Sequence, residues 1–136
     1  MKIISLDLPA VLHKLHEYAQ ELVIHRPDIK AVLLFGSLVK ESYTGTSDAD
    51  LLIILSSAQE RFLDRIPSFL HPGLPVELEV FPYTVEELCV QLREGYGVGA
   101  VALREGQLLA GELPKNIQET LSAYPPGQVS SKRAIS

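Results

Sequence analysis

The sequence has few of the features that mark secreted, zinc-binding or membrane proteins. Its 136 residues include one cysteine, Cys89, so an internal disulfide is excluded and a thiolate zinc motif would have no second ligand. No apolar run approaches the length of a membrane-spanning helix, and residues 1–9 are too short and too interrupted for the apolar region of a secretory signal. The expected compartment is the reducing cytoplasm, without membrane association.

Basic residues are also few. Lysine and arginine total 12 against 17 acidic residues, which gives a net charge of −5, and no basic cluster stands before the C-terminal tail. Because proteins that bind nucleic-acid backbones rely on clustered positive charge, no nucleic-acid partner is expected. The expected partners are a nucleotide and either a protein or a small molecule.

Turn residues and apolar periodicity predict helices that alternate with strands. Helices are expected at residues 9–25, directly after Ser37, at 58–70, from Thr84 to a break at 95–99, and at 115–124. Strands are expected at residues 30–35, from Asp48 to Leu55 and at 76–81, and a turn at 43–47. Residues 102–109 are expected to be the end of a helix that turns into a short strand. Residues 1–124 are expected to form a single domain, followed by a disordered tail at 125–136.

Two helix starts are indicated by capping residues. Ser56 is expected to cap the helix at 58–70, and Thr84 the helix that follows it. Leu88, Leu92 and Tyr96 recur at four-residue spacing and are expected to form the buried stripe of the second helix.

The most informative feature is a Gly-Ser pair at the end of an apolar stretch. Residues 31–35 are typical of a buried strand, and Gly36 follows directly. A residue without Cβ lets a ligand approach the backbone, and Ser37 can open a helix whose amides and hydroxyl bind phosphate oxygens. Taken alone, such a pair is most often an ordinary turn and helix cap.

Two aspartates follow after ten further residues, at the start of the apolar run 51–55. Asp48 and Asp50 stand two residues apart on a predicted strand, so their side chains share a face and are about 6.5–7 Å apart along the chain. Two carboxylates facing one way suit Mg²⁺, which prefers oxygen ligands and completes its shell with water and substrate phosphates. Solvated residues at a strand start are the alternative, but charges beside a buried sheet usually need partners.

A third carboxylate would complete a metal site, and the stretch 76–81 contains two candidates. Its alternation places Glu77 and Glu79 on one face of a predicted strand, with apolar residues on the other. Either glutamate could stand beside the aspartate pair, and a solvated strand face is the alternative for both.

These residues resemble the nucleotidyltransferase superfamily of DNA polymerase beta, most closely its small stand-alone members, the minimal nucleotidyltransferase (MNT) domain proteins. The matching stretches are Leu34-Phe35-Gly36-Ser37, Ser47-Asp48-Ala49-Asp50-Leu51-Leu52-Ile53, and Leu78-Glu79-Val80-Phe81-Pro82-Tyr83-Thr84 leading into Glu86-Glu87-Leu88. The resemblance implies an α+β fold, a polymerase beta-like core in which a small mixed β-sheet is flanked by helices.

The resemblance also implies a role for each motif. Gly36 and Ser37 would hold a nucleoside triphosphate. Asp48, Asp50 and one carboxylate on a later strand would be the catalytic residues and would bind two Mg²⁺ ions. In the family the strand acid lies five residues before the Thr of a Tyr-Thr turn, which selects Glu79 here.

The chain departs from the family pattern at three places, one of which is the added carboxylate of Glu77, which either competes for the metal site or faces solvent. Most members have Asp where this chain has Glu79, so the carboxylate sits one methylene further out. Many small members read Gly-Ser-Arg-Ala-Arg-Gly, whereas residues 36–41 keep only the second basic position, as Lys40. Lys40 is therefore the candidate side chain for phosphate neutralisation, together with the metal.

The resemblance implies a Mg²⁺-dependent nucleotidyltransferase that moves a nucleoside monophosphate, AMP from ATP or the equivalent from another triphosphate, to a hydroxyl acceptor and releases pyrophosphate. The expected acceptor is a partner protein, since MNT proteins often resemble antitoxins paired with helical HEPN-type toxins. The second interpretation is a non-catalytic or weakly catalytic antitoxin-type module. Small-molecule modification, as in aminoglycoside nucleotidyltransferases, is a third, although their second helical domain has little room here. A homo-oligomer or a hetero-complex is expected to complete the acceptor side.

Overall fold

The computed structural model describes residues 7–40, 48–71 and 73–125. The predicted turn at 43–47 and residues 126–136 of the predicted tail lie outside the described residues, so the domain boundary at residue 124 stays a prediction. Within the three described ranges, no helix combines the length and the apolarity that are needed to cross a membrane.

Helices and strands alternate along the described residues. In chain order they are α1 Leu8–His25, β1 Ile29–Phe35, α2 Ser37–Lys40, β2 Ala49–Leu55, α3 Phe62–Arg65, a 3-10 helix Ile66–Phe69, β3 Leu78–Thr84, α4 Val85–Glu94, α5 Val98–Glu105, β4 Gln107–Gly111 and α6 Lys115–Ala123.

The four strands form one mixed sheet in the order β3-β2-β1-β4. β1 runs antiparallel to both of its neighbours, β2 and β4, while β2 and β3 run parallel. The parallel pair is possible because α3 and the 3-10 helix carry the chain from the end of β2 back to the start of β3. The predicted fold class, a small mixed sheet flanked by helices, is confirmed.

Both faces of the sheet are covered, which explains why β1 and β2 read as continuous apolar runs. One face packs against α1 and the 3-10 helix, with Leu34, Ile53 and Leu15 fully buried there. The other face packs against α4, α5 and α6, with Leu52 and Leu88 fully buried. Full burial of such a side chain contributes about 1.5–3 kcal/mol.

The predicted first helix is confirmed as α1. The Asp7 side chain accepts a hydrogen bond from the amide of Ala10, and Pro9 stands in the first turn, where its missing N–H costs nothing. Tyr18 lies on the buried side, and its hydroxyl donates to the carbonyl of Phe69 in the 3-10 helix. This bond ties the helix to the connection between β2 and β3.

The helix predicted at 58–70 is wrong in length and in its cap. α3 begins only at Phe62, so Arg61 and not Ser56 holds its N-cap position, and no side chain caps the helix. The Ser56 amide instead donates to the Asp28 carbonyl at 2.8 Å. The α-helix gives way to a 3-10 helix after Arg65, where Pro67 has no amide hydrogen with which to continue the α-helical hydrogen bonds.

The predicted Thr84 cap of α4 is confirmed. The Glu87 amide donates to the Thr84 hydroxyl at 3.1 Å, and the Thr84 amide donates back to the Glu87 carboxylate at 2.9 Å. The buried Arg65 guanidinium donates to both Glu87 oxygens and to the Pro82 carbonyl, at 2.8–3.0 Å. These bonds fasten α3, β3 and α4 together at one end of the sheet.

The predicted buried stripe of α4 is correct at Leu88 and Leu92 but wrong at Tyr96, which is 60% exposed. The helix ends before Tyr96 because Gly95 adopts a left-handed conformation, with φ at 84°. Tyr96 therefore lies in the short break between α4 and α5.

Candidate active site

Strand register brings the predicted acidic residues together at one end of the sheet. Asp50 is the direct partner of Glu79 on the parallel neighbour β3, and of Phe35 on the antiparallel neighbour β1. Register partners on adjacent strands share a face, so the two carboxyl groups point to the same side. That side is the one that α4, α5 and α6 cover further along the sheet.

Gly36 is the point where the Asp50 side chain meets the corner between β1 and α2. The glycine has a φ of 83°, in the left-handed region that residues with a Cβ avoid. A methyl group at this position would collide with the Asp50 carboxylate, whose Oδ2 fills that space. The Gly-Ser corner and the acidic strand, predicted separately, are thus in contact.

The environment of Asp50 opposes its negative charge. Burial, followed by the charge of Glu79 and a hydrogen bond with it, and then the charge of Asp48, raises the pKa of Asp50 to about 6. The neighbouring Phe35 and Phe81 rings, whose centroids are 5.5 Å apart, give the strand ends an apolar surface beside the carboxyl groups. Asp48 and Glu79 are therefore both close enough for their charges to act on Asp50.

The two glutamates of the third strand differ in position. Glu79 lies in the edge strand β3 with an exposed side chain beside Asp50. Glu77 precedes the strand and is also exposed, and its carbonyl accepts a hydrogen bond from the Ala49 amide at 2.8 Å. The geometry thus pairs Asp50 with the glutamate that the family pattern selects.

The carboxylates are suitable ligands for a divalent cation, although they are not already arranged around a metal position. In the described part of the chain, no three His, Cys, Asp or Glu side chains are already arranged around a common metal position. Asp50 and Glu79 are nevertheless close enough to share a proton, which a cation can replace. Mg²⁺ is usually held by one or two carboxylates and completed by phosphates and water, so this donor set suits it. The site with three carboxylates and two ions stays a prediction.

Ser37 and Lys40 stand at the two ends of α2, next to Gly36. The Gly36 carbonyl accepts hydrogen bonds from the amides of Val39 and Lys40, each at 3.1 Å, which closes the turn. The Lys40 ammonium lies 2.9 Å from a carboxylate oxygen of Glu105, the last residue of α5. Sequence reasoning missed Glu105, because no local pattern links it to the Gly36 corner.

The sequence profile of the nucleotidyltransferase domain matches residues 12–121. The chain belongs to the nucleotidyltransferase domain family. The matched range of this nucleotidyltransferase domain includes the Gly36 corner and both acidic strands. No curated protein matches the sequence significantly.

Solved structures share the fold of this nucleotidyltransferase domain at low sequence identity. A toxin-antitoxin structure with AMP-PNP has a TM-score of 0.56 at 16% identity, with 91% of this chain and 94% of that chain covered. The toxin-antitoxin MntA-HepT has a TM-score of 0.51 at 15% identity, with coverages of 93% and 94%. A candidate nucleotidyltransferase from Sulfolobus solfataricus has a TM-score of 0.51 at 22% identity, with coverages of 74% and 80%.

Proposed function

We propose that this domain transfers AMP from ATP to a hydroxyl group on a partner protein and releases pyrophosphate. The observation that supports this most strongly is the pairing of Asp50 with Glu79 directly against Gly36, which sets paired carboxylates beside a phosphate-binding corner. In the reaction, the acceptor oxygen bonds to the α-phosphorus while the bond to the bridging oxygen of the β-phosphate breaks. The hydroxyl proton is lost, and pyrophosphate takes the bonding electrons.

The residues at the corner would hold the leaving group. The Asp50 carboxylate occupies the side-chain space of Gly36, so the donors at this corner would be the Ser37 hydroxyl and the backbone amides beside it, which can donate hydrogen bonds to phosphate oxygens. Lys40, the last residue of α2, would add a positive charge for the phosphates. Donors fixed in place before the reaction stabilise the charge that develops on the leaving pyrophosphate.

The three carboxylates would hold the cations. Asp48, Asp50 and Glu79 supply the oxygen ligands that Mg²⁺ prefers. Bound Mg²⁺ ions would neutralise triphosphate charge and lower the pKa of the acceptor hydroxyl. Glu79, exposed on the edge strand, can receive the proton that this hydroxyl loses, because an acceptor reaches it from solvent.

The comparisons favour a protein acceptor. Neighbours that cover more than 90% of this chain are toxin-antitoxin structures, one of them with AMP-PNP. A HEPN-type toxin is the partner that we propose. The alternative is that this chain neutralises such a partner by binding alone, and this alternative is supported by the same toxin-antitoxin neighbours.

Transfer of label from ATP tests the proposal. The purified protein is incubated with Mg²⁺, ATP labelled at the α-phosphate, and the protein encoded by the neighbouring gene. We expect label on the partner, loss of labelling with Asp48→Asn, and normal labelling with the matched control Glu77→Gln. Undiminished transfer by Asp48→Asn would refute the assignment of the site.

A growth assay separates chemistry from binding alone. The Asp48→Asn variant is expected to keep its fold and its association with the partner but to lose protection against the partner's toxicity. Full protection by this variant, together with co-purification, would instead favour the antitoxin-type binding function.

A further inference from the structure

The carboxylate of Glu105 is held beside the proposed triphosphate corner by close packing of its neighbour. Gly106 lies so close to β1 that a methyl group on it would stand 3.0 Å from the Leu34 carbonyl and 3.4 Å from Cβ of Phe35. The end of α5 is therefore fixed against the strand that leads into Gly36. Glu105 precedes Gly106 and bonds Lys40 across this junction.

We propose that Glu105 weakens triphosphate binding by holding Lys40 in an ion pair that the incoming phosphates must displace. This inference rests on the proposed function, because it concerns the affinity of the same corner. It adds an affinity-determining residue that the metal-binding and phosphate-binding motifs do not contain.

The charges around the Gly36 corner indicate that Glu105 competes with phosphates for Lys40 and does not assist their binding. Asp50 already experiences the negative charges of Asp48 and Glu79. Glu105 adds a further carboxylate on the α2 side and occupies the Lys40 ammonium at 2.9 Å. A polyphosphate approaching Ser37 would therefore meet one extra negative charge and one occupied positive charge.

The ion pair between Lys40 and Glu105 is weak enough for Lys40 to leave Glu105 and bind a phosphate instead. The Lys40 and Glu105 side chains are 56% and 47% exposed, so water screens their attraction. Lys40 stands three residues after Ser37 on α2, on the same side of the helix, so its flexible stem can turn toward a phosphate held at Ser37.

The test is the dissociation constant of α,β-methylene-ATP with Mg²⁺, measured by calorimetry. This analogue carries carbon at the bond that nucleotidyl transfer would break, so binding is measured without reaction. The variants are Glu105→Gln, Lys40→Met and the double variant. Glu119→Gln on α6 is the matched control, since it removes one exposed negative charge elsewhere.

We expect Glu105→Gln to tighten binding about two- to fivefold, which corresponds to about 0.4–1 kcal/mol. The gain should vanish in the Lys40→Met background, because a double-mutant cycle isolates the interaction between the two residues. Glu119→Gln should bind like the wild type. Circular dichroism and thermal unfolding establish that each variant is folded.

Three results would overturn the inference. Unchanged or weaker binding by Glu105→Gln would make the ion pair a structural link between α2 and α5. An equal gain in affinity from Glu105→Gln in the wild-type and Lys40→Met backgrounds would show that Glu105 only repels the phosphates and does not act through Lys40. Both results leave the proposed function standing, whereas absence of Mg²⁺-dependent binding by the wild type would contradict both proposals.

Discussion

Replacing Asp50 with Asn should stabilise the metal-free protein while removing its function. In the folded chain, burial and the negative charges of Glu79 and Asp48 raise the pKa of the Asp50 carboxyl from 3.8 to about 6. Because the folded state binds this proton more tightly than the unfolded state does, the ionised group lowers the free energy of unfolding. An Asn side chain has the same shape and carries no charge to be buried.

The size of the stabilisation expected from Asp50→Asn follows from the pKa shift of Asp50. At about 1.36 kcal/mol per pKa unit, the shift sets an upper limit of about 3 kcal/mol. Solvent reaches much of the Asp50 side chain and screens the repulsion, so we expect a gain of about 1 kcal/mol above pH 6. The cost of the charge develops between pH 4 and 6 and is mostly relieved at pH 4.5, so the advantage of the variant should shrink there.

Urea unfolding in the presence of EDTA measures both the gain in the free energy of unfolding above pH 6 and its decrease at pH 4.5. Wild type and Asp50→Asn are compared at pH 7.5 and pH 4.5, with Glu77→Gln as the matched control that removes a carboxylate just outside β3. Adding Mg²⁺ with α,β-methylene-ATP should stabilise the wild type and not the Asn variant. A variant that is no more stable than wild type at pH 7.5, or one whose advantage is the same at both pH values, would refute the reasoning.

Three further substitutions have expected outcomes. Gly36→Ala should cost about 1–2 kcal/mol for a Cβ at positive φ, and should abolish nucleotide binding by displacing the Asp50 carboxylate, measured by urea unfolding and calorimetry. Glu87→Ala removes the α4 capping box and the partner of buried Arg65, and should cost about 2–3 kcal/mol in urea unfolding at pH 7. Tyr18→Phe leaves a buried backbone carbonyl without its donor and should cost about 1–2 kcal/mol.

Each of these expectations can fail in a specific way. Nucleotide binding that survives Gly36→Ala would show that the contact with Asp50 is dispensable. The hydrogen bond from Arg65 is the main cause that lowers the pKa of Glu87. The stabilisation that this bond gives the folded state is therefore present at pH values above the ordinary pKa of glutamate, and it is lost as the pH falls. A Glu87→Ala penalty that does not shrink on acidification would contradict that cause. An unchanged unfolding midpoint for Tyr18→Phe would show that the hydroxyl bond adds nothing.

The strands at the centre of the sheet were predictable because both of their faces are buried. A strand between two helical layers needs apolar residues at nearly every position, and residues 31–35 and 51–55 have them. The region after β2 was not predictable in the same way. Its apolar spacing suits a long helix, but the chain forms a short α-helix followed by a 3-10 helix, in which Pro67 has no amide hydrogen to donate.

The site was only partly predictable from the chain. A spacing of two residues indicates that Asp48 and Asp50 share a face, but it does not say which acid of a distant strand lies beside them. That choice came from the family pattern, and the register of β2 against β3 pairs Asp50 with Glu79. Glu105 could not be predicted, because its approach to Lys40 depends on how α5 packs against β1.

The central claim is that Asp50 and Glu79 hold a divalent cation beside the Gly36 corner. A crystal structure with Mn²⁺ and α,β-methylene-ATP tests it most directly, because the anomalous signal of Mn²⁺ locates the ion. The account predicts an anomalous peak about 2.1 Å from carboxylate oxygens of both residues, close to the Mg²⁺ distance, with triphosphate oxygens completing the shell at Gly36 and Ser37. A peak elsewhere, with no ion at Asp50 and Glu79 and no phosphate at the corner, would contradict it.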